Sequence, residues 1–172
     1  MVAGLAILAA LAIGALLTGA GRQGARQYPE GSDGLTELLR SAAPAAQVPE
    51  AWAENRDLHY IVGAESGGWI GRPNYTYGQR NDEAFPRDVW KVSHADMWPQ
   101  VHAELKAGVK GARSTATGIG QLILDNVKAY YPDGVAGIGD PYNEAVGFLA
   151  YVRDRYGSPR AAAEMRRTRG NY

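Results

Sequence analysis

From residue 51 onward, apolar residues recur at helical rather than strand spacing. Leu58, Val62 and Glu65 stand at i, i+4 and i+7, and Ile61 widens the stripe. This pattern predicts a helix over Ala53–Ser66, stopped by Gly67 and Gly68. A second helix is predicted over Trp98–Ala107, with Pro99 in its first turn and Gly108 after its end. Ile119, Leu122, Ile123, Val127, Tyr130 and Tyr131 form a third stripe, closed by Pro132-Asp133-Gly134. Asp140 reads as an N-cap with Pro141 at the first helical position. Ala145, Phe148, Leu149, Val152 and Tyr156 continue that helix to Gly157, and Ser158-Pro159 opens a last one that stops near Gly170. Arg72–Val92 reads as an irregular aromatic loop. Alternating strand patterns are nearly absent, so the expected class is all-α, with one small β-hairpin near Asn74–Arg80.

The N-terminal pattern differs. Val2–Gly21 carries no charged side chain. At about 1.5 Å per residue it is long enough to cross a bilayer core of about 30 Å. No lysine or arginine precedes it, as a secretory signal would require, and Arg22 and Arg26 follow it. Residues 1–21 are therefore expected to be an uncleaved transmembrane anchor, in preference to the alternatives of a cleaved signal or a buried core helix. Residues 22–50, with "SAAPAAQVPE" at their end, read as a linker, with a short helix over Leu35–Arg40. Residues 51–172 are expected to form the folded domain.

Charge narrows the partners. Eighteen Lys and Arg balance eighteen Asp and Glu, which gives no sign of a nucleic-acid partner. There is no cysteine, so disulfides and thiolate chemistry are excluded. His59, His94 and His102 lack metal-ligand spacing, so no metal or other cofactor is expected. Arg153, Arg155, Arg160, Arg166, Arg167 and Arg169 make the C-terminus basic. This is either a solvated helix face or a surface for anionic wall polymer or lipid headgroups.

Glu65 is the candidate for chemistry. A carboxyl on an apolar face at a helix C-terminus is poorly solvated and feels the negative end of the helix dipole. Both effects favour the protonated form that a general acid needs. In "STATGIGQL", Gly118 and Gly120 precede Gln121 at an expected helix start. Glycines there admit a close approach, and the Gln121 amide offers a donor and an acceptor. Tyr75 and Tyr77, among polar residues in "RPNYTYGQRN", are candidates for a sugar cleft or for simple packing. Trp69, Trp90 and Trp98 are assigned to the core.

Glu65-Ser66-Gly67-Gly68, then Ala116-Thr117-Gly118-Ile119-Gly120-Gln121-Leu122, then "AVGFLAYVRDRYGSPRAA" and the terminal "GNY" resemble the lytic transglycosylase branch of the lysozyme-like superfamily, in its phage and actinobacterial forms. The resemblance covers roughly Ala53–Tyr172. It implies a lysozyme-like all-α fold and cleavage of peptidoglycan glycan strands between MurNAc and GlcNAc, with a 1,6-anhydro product. It assigns Glu65 as the catalytic acid and base, Ser66 as a hydrogen-bonding neighbour of that carboxyl, Gln121 as a sugar-positioning residue and Tyr172 as a cleft residue. The chain departs from the pattern in its long interval between Glu65 and Gln121, and in lacking an A-Y-N-x-G segment. A hydrolytic lysozyme needs a second carboxylate. Asp82 and Glu83 are the first candidates, then Asp88 and Asp96, against the bland alternative of solvated loop charge. A third alternative is a catalytically silent wall-binding or structural virion protein.

The flanking arginines favour a cytoplasmic domain by the positive-inside rule, whereas the wall lies outside. A virion membrane location, or release by a phage holin, reconciles the two. The expected partners are therefore peptidoglycan, the membrane and other virion or membrane proteins.

Overall fold

The computed structural model describes residues 26–74, 98–107 and 114–170. Among them are six α-helices and no strands, only isolated bridges. The helices are α1 (Asp33–Ala42), α2 (Arg56–Ser66), α3 (Trp98–Ala107), α4 (Leu124–Tyr130), α5 (Pro141–Tyr156) and α6 (Pro159–Arg169). The class is all-α, as the periodicity predicts. The expected anchor, residues 1–21, lies outside the described residues. So do Tyr75, Tyr77, Asp82, Glu83, Asp88, Trp90, His94, Asp96, Tyr172 and all of the expected hairpin except Asn74. Among the described residues, no helix is long and apolar enough to cross a membrane.

Local signals fix most helix ends. The Asn55 side chain caps α2 by accepting from the Asp57 N–H, and Gly67 closes it with a left-handed φ of 65°. Asp140 accepts from Asn143 N–H with Pro141 at the first position of α5, and Gly157 ends that helix. Ser158 caps α6 and Gly170 ends it. The expected helix from Ala53 is two pieces, a 3₁₀ turn over Glu50–Glu54 and then α2, because Asn55 is extended between them.

α5 is the central helix. Ala145, Val146, Phe148, Leu149, Ala150 and Val152 are all buried, around most of its circumference, as expected for a helix enclosed by others. α1, α4 and α6 pack on it, and α2 packs on α6. Gly147 lets the Tyr131 ring lie against the helix where any Cβ would collide. Tyr131 joins Val101, Leu105, Leu122, Val127, Ile138 and Tyr151 in a second apolar cluster under α3 and α4.

Two expectations are corrected. The described part of the linker, residues 26–50, is not a tether. Leu35, Leu39, Ala42, Ala43 and Ala46 lie fully or almost fully buried in the main core with Leu58, Ile61, Phe148 and Leu149. Small alanines let α1 come close to its neighbours, so the composition of a flexible linker here belongs to a close-packed face. The second correction concerns Gln121, which does not start a helix. Thr117 and Leu122 exchange backbone hydrogen bonds (3.0 and 3.1 Å) around a tight turn, and α4 begins only at Leu124.

Candidate active site

The last turn of α2 carries Glu65, and two arginines from elsewhere close on it. Arg72, in the loop after α2, donates from Nη1 to Ser66 O (2.7 Å). Arg166, from α6, donates from Nη2 to Ala64 O (3.3 Å) and from Nη1 to Gly170 O (2.7 Å). The two cations therefore sit where the helix dipole is negative and end carbonyls lack partners. Arg166 Nε also forms an ion pair with Glu65 Oε1. Both atoms are buried and neither has a well-directed hydrogen bond, so charge rather than N–H alignment holds the contact. The Glu65 side chain is 15% exposed. Its Oε2 makes no hydrogen bond among the described residues. Burial raises the Glu65 pKa above the ordinary carboxyl value, and the charge and hydrogen-bonding capacity of Arg166 oppose the rise.

Ser66 is adjacent but differently employed. Its fully buried hydroxyl donates to Val62 O (3.2 Å) and accepts from Gly68 N–H (3.0 Å). It thus shapes the helix exit. The exit turn is further tied to the N-terminal arm, where Tyr28 N–H donates to Gly68 O (2.8 Å) and Ile70 N–H donates to Arg26 O (2.9 Å). Gly68, with φ of 79°, stands where a Cβ would strike the Tyr28 carbonyl.

The glycine turn meets α2 through Arg72. Gly118, at φ 81°, donates its N–H to Arg72 O (2.9 Å). Gln121 takes a left-handed φ of 50° and donates from Nε2 to Arg72 O (2.8 Å) and Gly118 O (2.9 Å). The Nε2 group is thus spent on one bond within the turn and one to Arg72, and no described residue donates to Oε1. Arg72 therefore ties the end of α2, where Glu65 and Ser66 lie, to the turn that holds Gly118, Gly120 and Gln121.

Beneath this joint lies a residue that no motif singled out. Glu144 of α5 is completely buried. Its carboxylate accepts from Gly71 N–H (2.9 and 3.1 Å), Ile119 N–H (2.8 Å) and Gly139 N–H (2.8 Å). Burial pushes its pKa up to about 7 against the pull of those three donors. One carboxyl therefore binds the loop after α2, the glycine turn and the entry to α5. A Cβ on Gly118 would sit 2.8 Å from Glu144 Oε2 and 2.6 Å from the Tyr131 hydroxyl, which explains the glycine. Glu144 stands one turn before Phe148 on a buried face, the same spacing logic that marks Glu65. As a first-turn acid it reads instead as a partner of the helix dipole. With no exposed atom, Glu144 has no route to a substrate and serves as the frame of the site.

The two described histidines, His59 and His102, are structural. His102 donates from Nε2 to Gly71 O (2.7 Å), and burial lowers its pKa. His59 donates from Nε2 to Ala53 O (2.7 Å) and accepts Gly31 N–H at Nδ1 (3.1 Å). Trp98 is buried edge-to-face against the half-buried Trp69, with centroids 6.0 Å apart. Among the described residues, no three His, Asp or Glu side chains converge as a metal site.

No protein-family model, curated protein or solved structure matches this chain. The functional assignment therefore rests on the residues and their chemistry.

Proposed function

We propose that the protein is a peptidoglycan lytic transglycosylase with a lysozyme-like fold, tethered to a virion or cell-envelope membrane by residues 1–21 and acting through Glu65. The observation that carries this reading is the surroundings of Glu65. It is a mostly buried carboxyl, paired with Arg166 through Oε1 and with no partner at Oε2 among the described residues, at a helix end that Arg72 ties to the glycine turn.

In the proposed reaction, Glu65 Oε2 gives its proton to the glycosidic oxygen as the bond from MurNAc C1 to that oxygen breaks. The same carboxylate then takes the proton of the MurNAc 6-hydroxyl as its oxygen bonds to C1. The product is a 1,6-anhydro ring, and no water is consumed. Burial favours the acid form at the first step, and Arg166 stabilises the anion between the two steps. Gln121 Oε1 would accept a hydrogen bond from a sugar hydroxyl or N-acetyl N–H. The lysozyme alternative requires water activation by a second carboxylate, for which Asp82 and Glu83 remain the candidates.

Dye release from labelled sacculi tests the enzyme reading. The full chain should release dye, and Glu65→Gln should lose at least about a hundredfold of the rate, in the range general acid–base catalysis contributes. Equal release by both proteins would remove Glu65 from the mechanism.

A further inference from the structure

The ion pair on Glu65 belongs to no motif in the chain. It joins the C-terminal ends of two helices that are a hundred residues apart in sequence, and it engages only one of the two carboxyl oxygens. We propose that Arg166 is a positioning residue for the proposed transglycosylase reaction: it fixes Oε1 of Glu65, leaves Oε2 as the oxygen that gives and takes back the proton, and sets the pH at which that proton is held.

This proposal rests on Glu65 being the acid and base, and its geometry stands apart from that reading. The guanidinium is itself held in place. Its Nη1 and Nη2 donate to Gly170 O and Ala64 O, so Nε meets Glu65 from a fixed direction. With the proton on Oε2 the carboxyl still lies against Nε, because the guanidinium is tied to Gly170 O and Ala64 O. The anion left after proton donation keeps it too, with added charge attraction. A single carboxyl that must be acid and then base needs support in both states, and burial alone would support only the acid.

The other described charged groups near this end of α2 are engaged elsewhere. Arg72, from the following loop, is bound to Ser66 O. Glu30, from the N-terminal arm, packs on Gly63, two residues before Glu65 in α2. On α2 itself Asp57 pairs with Arg167 of α6 (2.8 Å), and that guanidinium lies over the Tyr60 ring at 4.6 Å. Arg167 therefore fastens the same two helices without touching Glu65, and provides a built-in control.

The test uses the full chain in detergent, with Arg166→Gln, Arg166→Lys and Arg167→Gln. Two quantities are followed, the pH profile of kcat/KM on sacculi and the titration of Glu65 by carbon NMR of labelled glutamate. Removing a cation raises the pKa of a neighbouring carboxyl. In Arg166→Gln, the alkaline limb of the profile and the Glu65 midpoint should therefore both move to higher pH. Lysine should restore most of the shift, and Arg167→Gln should leave both where they are in the wild type. An active wild type with both quantities unmoved in a folded Arg166→Gln, judged by its circular dichroism, would overturn the role of Arg166. So would an equal movement in Arg167→Gln, which would reduce the effect to helix docking. If the midpoint moves and no variant, wild type included, cuts any glycan, the ion pair stands and the transglycosylase reading falls.

Discussion

Glu65 and Glu144 carry the same carboxyl into different surroundings. Among the described residues, Glu65 has a cation on one oxygen and no hydrogen bond on the other, whereas Glu144 is enclosed and accepts from three backbone N–H groups. Replacing Glu144 by glutamine turns one acceptor into an NH₂ group that faces backbone N–H groups. Unfolding by urea should show Glu144→Gln losing about 1–3 kcal/mol, the cost of unsatisfied buried polar groups. The sign of the pH dependence follows from the pKa. It is about 7 in the folded protein against an ordinary 4.5, so the folded state holds an extra proton between those values. Stability should therefore fall as pH rises through that window, by up to about 3 kcal/mol. In Glu144→Gln that component should vanish. A urea midpoint that rises with pH across the window in the wild type alone would contradict this. Ser66→Ala should cost about 1 kcal/mol of stability, because its hydroxyl makes two hydrogen bonds within the helix exit.

Helix ends were legible because caps are local chemistry: Asp140-Pro141, Gly157, Ser158-Pro159 and Gly170 each act within a turn of their own position. The turn that holds Gln121 was not. Its conformation depends on Arg72 O, far away in sequence, accepting from both Gly118 N–H and Gln121 Nε2. An apolar stripe that includes Ile119 and Leu122 looks helical whether or not such a partner exists. Gly118→Ala tests this element. It combines a positive φ with a Cβ crowded by Glu144 and Tyr131, so thermal or urea unfolding should show a loss of about 2–4 kcal/mol. A loss near zero would mean that the turn is not held as described. The basic C-terminal helix, which the sequence left open as a polymer-binding face, uses Arg166 and Arg167 to fasten itself to α2.

At the scale of the whole molecule, the folded unit begins before residue 51. Alanine, proline and serine give residues 22–50 the composition of a tether, and composition cannot distinguish a flexible tether from a helix face of small residues in tight contact. Leu35, Leu38 and Leu39 with Ala42 have helical spacing and do mark the buried face of α1. A fragment starting at Ala51 loses that face, and with it Leu35, Leu39 and Ala42 from the main core. Each lost leucine is worth about 2 kcal/mol or more of burial, against a total stability of about 5–15 kcal/mol for a typical domain. Such a fragment should show no cooperative unfolding transition, whereas one starting at Arg22 should retain it. Activity is accordingly to be sought in the full chain. The most direct measurement is mass spectrometry of the soluble products when purified peptidoglycan is digested with the full chain and, in parallel, with Glu65→Gln. The account predicts muropeptides one water lighter than the hydrolytic products, present with the wild type and absent with the variant. Reducing-end muropeptides, or identical products from both proteins, would contradict it.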